Sequence, residues 1–219
     1  MDRGFLMLNV LDNLIPQKTS QEILNILSSN NFPWYGLTLT GYSQDKKNNY
    51  KNNHIVQDDY YFDENTFEYF QLTHNFYYDN KVNSSYYFII EELLHSLDLS
   101  SYPIHNIVNI KANLQPFYNT DKLYNRPHYD YGRLIENWNN PSTDHYQHKY
   151  LVVLYYVNDS DGFTYVFDNH EKPFRIKEKV QSKQGRFLIM DGSYLHAGSH
   201  PKTDYRIVIN FLFRLENDI

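Results

Sequence analysis

The chain has 219 residues and a mass of 26.4 kDa, and its 26 acidic and 20 basic side chains give a formal net charge of −6. A domain of this length buries roughly 70% of its unfolded surface, so it can form a core without cross-links. It contains no cysteine, which excludes a disulfide framework, a thiolate zinc site, an iron–sulfur cluster and a cysteine nucleophile. The acidic balance argues against a nucleic-acid partner, because phosphate binding needs a basic surface.

The first half of the chain carries one strand signal and two helix signals. The apolar run from Phe5 to Leu11 is too short to span a membrane and has no small-residue cleavage site, so it predicts a strand. We therefore expect a cytoplasmic protein without a membrane segment. Apolar residues at helical spacing predict helices over Thr19–Leu27 and Ser84–Leu97. Residues 36–80 are polar and include a predicted loop at 44–49.

From about residue 104 the pattern changes to short apolar runs separated by turn residues. This spacing is typical of an all-β sandwich or barrel. The predicted strands are Ile104–Leu114, Tyr150–Asn158, Thr164–Asp168, Phe174–Val180, Arg186–Met190 and Tyr205–Phe213. We expect a mainly β protein with flanking helices (α+β), in which residues 1–219 form one domain and residues 1–103 support a β core at 104–213.

Two segments of the predicted β half carry side chains suited to a metal ion. In an extended segment the side chains of His128 and Asp130 share one face, and imidazole and carboxylate together suit a divalent transition metal. A His-x-Asp pair is also common by chance, and on spacing alone a turn in which Asp130 makes local hydrogen bonds is the better interpretation. A third candidate, His196, follows an apolar strand and is flanked by Ala197 and Gly198, which leave room for a ligand.

A candidate anion-binding residue begins the last strand. Alternation places Arg206, Val208 and Asn210 on one side of a segment that is apolar on both faces. A half-buried arginine is costly unless an anion meets it. Its partner is either one of the protein's own carboxylates or the carboxylate of a substrate or cofactor.

Two histidines and one carboxylate, followed by an arginine ten positions after the second histidine, resemble the iron(II)/2-oxoglutarate-dependent oxygenases, in the branch of the prolyl 4-hydroxylases. The resemblance covers residues 104–213 and includes the strand Leu154–Asn158 followed by Gly162, and the segment from Gly185 to His196. The N-terminal half, with Phe32-Pro33-Trp34-Tyr35, looks like small oxygenases of marine phages and bacteria.

This resemblance implies a double-stranded β-helix (jelly-roll) core that holds Fe(II) through three ligands, His128, Asp130 and His196. It implies that Arg206 binds the distal carboxylate of 2-oxoglutarate, with Tyr156 and Tyr118 as further contacts and Asn113 and Gln115 as possible donors nearby. O₂ and 2-oxoglutarate would be consumed, succinate and CO₂ released, and a substrate C–H bond hydroxylated. Halogenating members lack the carboxylate ligand, so Asp130 favours hydroxylation.

The substrate is less defined by the sequence. A peptide or protein is slightly favoured over a small molecule, nucleic acid is disfavoured by the acidic charge, and the oligomeric state is open. The segment Asp161-Gly162-Phe163-Thr164 departs from the family's Gly-Gly-Glu-Thr, so substrate contacts cannot be copied from relatives. His200 is interpreted as a loop or rim residue, and His145 and His148 as part of a lid.

Two alternatives remain at this point. The chain could be a non-catalytic jelly-roll binding or assembly module that retains a metal site, although such a module has no need of Arg206. A cupin-type metal enzyme shares the architecture, but it usually places two histidines and a glutamate close together, and the sequence contains no His-x-His.

Overall fold

The structure, a computed structural model, describes residues 7–37, 63–67, 70–130 and 149–216. These parts contain two helices, α1 (Gln17–Leu27) and α2 (Phe88–Ser96). They also contain the strands β1 (Leu8–Leu11), β2 (Tyr35–Leu37), β3 (Thr66–Phe67), β4 (Gln71–Tyr78), β5 (Lys81–Val82), β6 (Ile104–Gln115), β7 (Tyr124–Asn125), β8 (Tyr150–Tyr156), β9 (Phe163–Phe167), β10 (Ile176–Gln181), β11 (Phe187–Asp191), β12 (His196–Gly198) and β13 (Arg206–Leu215). No helix in the described ranges is long and apolar enough to cross a membrane.

Two antiparallel sheets form the body of the protein. The large sheet has the strand order β1-β11-β8-β13-β6-β4-β2, with β5 paired to β4. The small sheet has the order β10-β9-β12, and β3 and β7 form a short parallel pair. The first helix and the strands β1, β2 and β4 come from the N-terminal half, so both halves of the chain contribute to the large sheet.

Alternation along the strands gives the large sheet two distinct faces. On its outer face, Ile207, Ile209 and Phe211 of β13 join the apolar sides of α1 and α2 in the largest hydrophobic core. On its inner face, Val208 and Leu212 pack against Val166 of the small sheet. Each fully buried aliphatic or aromatic side chain stabilises the fold by roughly 1.5–3 kcal/mol. The core therefore fixes which side chains of β13 point toward the space between the sheets.

The predicted fold class and strands are confirmed. The architecture is mainly β with antiparallel sheets, and each of the six predicted strands is present with bounds shifted by no more than two residues. The second helix begins at Phe88 rather than Ser84, because the Ser84 hydroxyl accepts a hydrogen bond from the Tyr86 amide (3.0 Å) and holds a turn there. The strand β4 lies within the segment that was described only as polar. The predicted loop at 44–49 and the lid at His145 and His148 lie outside the described residues.

An ion pair fastens the edge strand β1 to its neighbour β11. Asp12 accepts hydrogen bonds from Nε and Nη2 of Arg186 at 2.8 and 3.0 Å, and from Nζ of Lys183 at 3.0 Å. The hydrogen bond from Arg186 is the main reason that the pKa of Asp12 falls from its usual value of 3.8 to about 2, although partial burial opposes the shift. The carboxylate is only partly exposed, so the pair is less screened than a surface contact.

We expect Asp12→Asn to lower the free energy of unfolding by about 1 kcal/mol at neutral pH. Because the pKa of Asp12 is lowered in the folded state, its stabilising effect is complete above pH 4 and is lost as the pH falls from about 4 to about 2. Urea unfolding measured across this range should show the two proteins converging in stability at low pH.

Asp168→Asn is a suitable control, because Asp168 pairs with Nε of Arg175 at 2.7 Å but the arginine side chain is 72% exposed. Its effect should be smaller than that of Asp12→Asn. Equal losses in the two variants would contradict the structural role given to Asp12.

Candidate active site

The two candidate metal histidines are neighbours across a backbone bridge. The amide of His128 donates to the carbonyl oxygen of His196 at 2.9 Å, and the amide of His196 donates to that of His128 at 3.1 Å. This antiparallel pair joins the segment after β7 to the start of β12, and it brings the imidazole ring centroids to 4.8 Å. Backbone hydrogen bonding therefore places side by side two residues that lie far apart in the sequence.

Each histidine is oriented by its own local backbone. Nδ1 of His128 lies 3.0 Å from the carbonyl oxygen of Arg126, and Nδ1 of His196 lies 3.1 Å from that of Tyr194. A carbonyl can only accept, so in both rings Nδ1 carries the proton when the ring is neutral. The lone pair is then on Nε2, which is the arrangement that metal-binding histidines commonly have.

Asp130 completes a group of three ligand side chains. Its Oδ2 lies 3.3 Å from Nε2 of His196, and its Oδ1 lies 4.0 Å from Nε2 of His128. One ligand atom from each of the three residues falls within a 4.8 Å span. Asn210 of β13 donates from Nδ2 to Oδ1 of Asp130 at 2.7 Å, so one carboxylate oxygen is held by the protein and the other faces the histidines.

The three side chains form a strongly coupled group. Burial opposes charge on all of them, yet the adjacent His196 holds the pKa of Asp130 well below its usual range, and Asp130 raises the pKa of His196. Burial and the neighbouring His196 lower the pKa of His128. The three side chains therefore act on one another's pKa, as expected for ligand groups gathered around one small space.

The donor set fits a divalent transition metal. Two imidazole nitrogens and one carboxylate oxygen on one side of a site form a facial triad, which leaves the remaining coordination positions open. The Asp130 and His196 side chains are only 4% and 5% exposed, and within the described ranges Oδ2 of Asp130 has no hydrogen-bond partner. A buried carboxylate oxygen without a hydrogen bond is explained by a bound cation.

Arg206 lies on the inner face of β13, four residues before Asn210, and its hydrogen-bond partners are neutral side chains. It is buried, with 4% exposure, and it donates from Nη1 to Oε1 of Gln115 and from Nη2 to Oγ1 of Thr164, both at 2.7 Å. Within the described ranges no carboxylate lies within 4.0 Å of it, and its Nε has no hydrogen-bond partner. A buried guanidinium with only neutral partners is suited to binding an anionic ligand.

Thr164 and Tyr156 complete the surroundings of this cation. The Tyr156 hydroxyl donates to Oγ1 of Thr164 at 2.8 Å, and the Tyr156 ring centroid is 5.5 Å from the Arg206 guanidinium carbon. Thr164 thus accepts from both Tyr156 and Arg206, which uses both of its oxygen lone pairs. Its own hydroxyl proton can then be donated to a ligand that Arg206 binds.

Two glycines leave space for the arginine side chain. A Cβ at Gly162 would lie 2.7 Å from Cδ of Arg206, and a Cβ at Gly198 would lie 3.1 Å from both Nη1 of Arg206 and Nε2 of Gln115. Any larger residue at Gly162 would push the arginine or the backbone at Ser199 out of place. Gly198, one of the two small residues beside His196, therefore makes room for Arg206.

The other predicted residues lie around this site in different ways. The Tyr118 ring meets the His200 ring edge-on at 6.3 Å, and the Tyr118 amide donates to the carbonyl oxygen of Pro201. His200 is buried rather than at the rim, and burial lowers its pKa, with the nearby charge of Arg206 adding to the effect. Asn113 accepts a hydrogen bond from the Thr73 hydroxyl at 3.3 Å. The predicted contacts of Tyr118 and Asn113 with a co-substrate stay predictions.

Two residues that contact the site were not predicted in their observed roles. The sequence predicted Thr164 only as the first residue of a strand, and Asn210 only as a side chain on the same side as Arg206. The alternation of β13 was the available signal for Asn210. No sequence signal links Asn210 to Asp130, because that contact depends on how the two sheets face each other.

Comparison with protein-family models finds no match, and a search among curated proteins finds no significant relative. Solved structures do resemble this one. They include a prolyl hydroxylase from Trichoplax adhaerens in complex with a hypoxia inducible factor peptide fragment (16% identity, 95% of this chain and 83% of that chain, TM-score 0.52). They also include an oxidoreductase of the 2OG-Fe(II) oxygenase family from Burkholderia pseudomallei (10% identity, 96% and 86%, TM-score 0.58). A third is the viral collagen prolyl hydroxylase of Paramecium Bursaria Chlorella virus-1 (13% identity, 95% and 96%, TM-score 0.51).

The chain therefore has the jelly-roll fold of the iron(II)/2-oxoglutarate oxygenases. The similarity extends over nearly the whole chain, whereas the resemblance in sequence covered only residues 104–213. At this level of identity the comparison establishes the fold, and the function must be argued from the side chains of the site.

We expect Asn210→Leu to weaken divalent metal binding about 10–100-fold, because the substitution keeps the side-chain size but removes the donor that orients Asp130. The measurement is a titration of the apoprotein with Zn(II) in competition with a chromogenic chelator, with thermal unfolding to verify the fold.

Asn113→Leu provides the control, since Asn113 lies on the same inner face but its hydrogen bond is to Thr73. The role assigned to Asn210 is wrong if its variant binds Zn(II) as tightly as the control does.

Proposed function

We propose that the protein is an Fe(II)/2-oxoglutarate-dependent dioxygenase that hydroxylates a substrate C–H bond and releases succinate and CO₂. One observation carries the proposal: a His₂-carboxylate group and a buried arginine without a carboxylate partner among the described residues both face the space between the two sheets of a jelly roll. Bound iron and 2-oxoglutarate would together supply the oxidation of the C–H bond with O₂.

The protein's own residues have distinct roles in this proposal. His128, Asp130 and His196 hold the metal ion on one side and leave the other side open for ligands. Arg206 binds the distal carboxylate of 2-oxoglutarate, and Thr164 donates a further hydrogen bond to it. Tyr156 orients Thr164 and covers the guanidinium with its ring. The apolar residues of the inner face keep water away from the bound groups.

The spacing between the two parts suits a short dicarboxylic acid. Arg206 and Asn210 share one face of β13, and four residues of a strand span about 13 Å. Arg206 lies at one end of this distance, and Asn210 holds Asp130 at the other. A five-carbon 2-oxo acid can therefore bind the metal with one end and the arginine with the other.

We further propose a peptide or protein as the primary substrate, in preference to a small molecule. The Trichoplax prolyl hydroxylase, which shares the fold, is seen with a peptide fragment. A cytoplasmic location and the lack of a nucleic-acid partner stay predictions from composition.

The alternative is a non-catalytic jelly-roll module that keeps the metal site for structure. It is disfavoured by Arg206, because a structural role gives no reason to bury a guanidinium among neutral side chains. Binding of Fe(II) without any binding of 2-oxoglutarate would favour it.

We expect the apoprotein to develop a weak visible charge-transfer band when Fe(II) and then 2-oxoglutarate are added without oxygen, and only when both are present. His196→Ala and Asp130→Ala should lose this band and Fe(II)-dependent succinate formation, because each variant removes a metal ligand. Full succinate formation in either variant would overturn the ligand assignment, and a well-folded wild type without the band would favour the binding module.

Arg206→Ala should behave differently from the ligand variants. We expect its dissociation constant for 2-oxoglutarate to rise at least about 30-fold, since a charge-assisted contact worth roughly 2 kcal/mol or more is lost. The affinity for Fe(II) alone should change little. Arg175→Ala, at an exposed ion pair, is the matched control. An unchanged 2-oxoglutarate affinity in Arg206→Ala would show that the arginine is only structural.

A further inference from the structure

The side chains on the inner face of the large sheet become more polar from β8 toward β4. On β8 it presents apolar side chains such as Leu154, and on β13 it presents the apolar Val208 together with Arg206 and Asn210. On β6 and β4 it presents hydrogen-bonding side chains instead, arranged in cross-strand pairs: Thr73 with Asn113, Asn75 with Lys111 and Tyr78 with Asn109. We call these six residues the polar wall. The wall begins beside the strand that carries Asn210 and Arg206.

Lys111 is the cation of the polar wall, and register places it beside the metal ligands. It lies directly opposite Asn210 across the β6–β13 ladder, and directly opposite Asn75 across the β6–β4 ladder. Residues directly opposite in an antiparallel pair point to the same face, with Cβ atoms about 5 Å apart. Asn210 reaches Asp130 on that face, so Lys111 points into the same space.

The electrostatics agree with this placement. After burial and the charges within the triad, the positive charge of Lys111 acts on the pKa of all three side chains, His128, Asp130 and His196. This is the effect expected of a cation on the same inner face as Asn210, where the strand register places Lys111.

Lys111 is half-buried and lacks a counter-charge. Within the described ranges, no carboxylate comes within 4.0 Å of its ammonium group, and Asp130 is already engaged by His196 and Asn210. Beside it on the same face of β6, Oδ1 of Asn109 is buried and has no hydrogen-bond partner among the described residues. A half-buried cation without a counter-charge is suited to a negatively charged ligand. The Oδ1 of Asn109 can accept a hydrogen bond from an N–H or O–H group of the same ligand.

The co-substrate does not account for this cation. In the proposed function, one end of 2-oxoglutarate is bound by the metal and the other by Arg206. Arg206 lies opposite Gln115, four residues along β6 from Lys111. Lys111 therefore lies level with Asn210 at the metal end of the site, about 13 Å along the strands from Gln115 and Arg206, and it belongs to the polar wall.

We propose that Lys111, with the amide side chains of the polar wall, binds a carboxylate of the primary substrate and so positions that substrate beside the metal. This inference rests on the proposed function and narrows its substrate class to molecules with a carboxylate near the oxidised carbon. The overall charge of −6 disfavours polyanions, so the structure points to a single carboxylate recognised locally.

The test uses two samples of the full chain. One is loaded with Zn(II) and 2-oxoglutarate, a form of the protein that does not turn over, and the other is metal-free. The lysines of both samples are reductively ¹³C-methylated, which preserves their charge, and Lys111→Met assigns the Lys111 resonance. The probes are acetyl-prolyl-glutamyl amide and acetyl-prolyl-glutaminyl amide, which differ only in the side-chain carboxylate, and propionate as a free carboxylate.

We expect the glutamyl probe to shift the Lys111 resonance saturably and to bind at least about tenfold more tightly than the glutaminyl probe. Calorimetry on unmethylated protein should show that Lys111→Met loses this preference and that Lys111→Arg, which keeps the positive charge, retains it. Lys18→Met, a control at an exposed lysine of α1, should also retain it. If the glutamyl probe binds more tightly than propionate, the ligand of Lys111 is a carboxylate within a peptide. If the two bind with equal affinity, the ligand is a small carboxylic acid.

Two results would overturn the proposal. One is that no carboxylate probe shifts the Lys111 resonance saturably, either in the Zn(II)-loaded protein or in the metal-free protein. The other is a loss of 2-oxoglutarate affinity in Lys111→Met of tenfold or more, which would assign Lys111 to the co-substrate. Failure of the proposed function itself would appear separately, as a missing Fe(II)/2-oxoglutarate charge-transfer band.

Discussion

The geometry of the whole site depends on one pair of backbone hydrogen bonds. The reciprocal bonds between His128 and His196 fix the distance between two imidazoles, and the carbonyl oxygens two residues earlier in each segment fix how the rings turn. These constraints come from the backbone, so they do not depend on side-chain flexibility. The metal ligands are therefore held in place before any metal binds, which lowers the entropic cost of binding.

The central strand β13 connects this site to the hydrophobic core. Its outer face buries Ile207, Ile209 and Phe211, while its inner face carries Arg206 and Asn210 toward the space between the sheets. A shift of one residue in its register would exchange these two faces, burying a charge in the core and exposing the apolar residues. The same packing energy that stabilises the sheet thus specifies where the arginine and the amide must be.

The strands and the candidate ligands could be predicted because both follow from local patterns. Apolar alternation defined β6 and β13, and the His-x-Asp pair followed by a histidine and an arginine matched a known arrangement. The strand β4 was not predicted, because the polar composition of residues 36–80 obscures the short alternation of Leu72, His74 and Phe76 within it. The pairing of Asn210 with Asp130 could not be predicted, since it joins residues of opposite walls. The division of the domain at residue 103 stays a prediction.

The charges around the site differ from those of the protein as a whole. The chain is acidic, yet among the described residues the site includes two cations beyond the triad, Arg206 and Lys111, and the hydrogen-bond partners of Arg206 are the neutral Gln115 and Thr164. Neutral acceptors hold Arg206 without cancelling its charge, so its attraction for an anion is retained in a region of low dielectric. An acidic surface with locally uncompensated cations selects for ligands that are small enough to enter and negatively charged where they meet these side chains. The arrangement therefore favours a dicarboxylic co-substrate at Arg206, and it provides the physical reason for expecting a second carboxylate at Lys111.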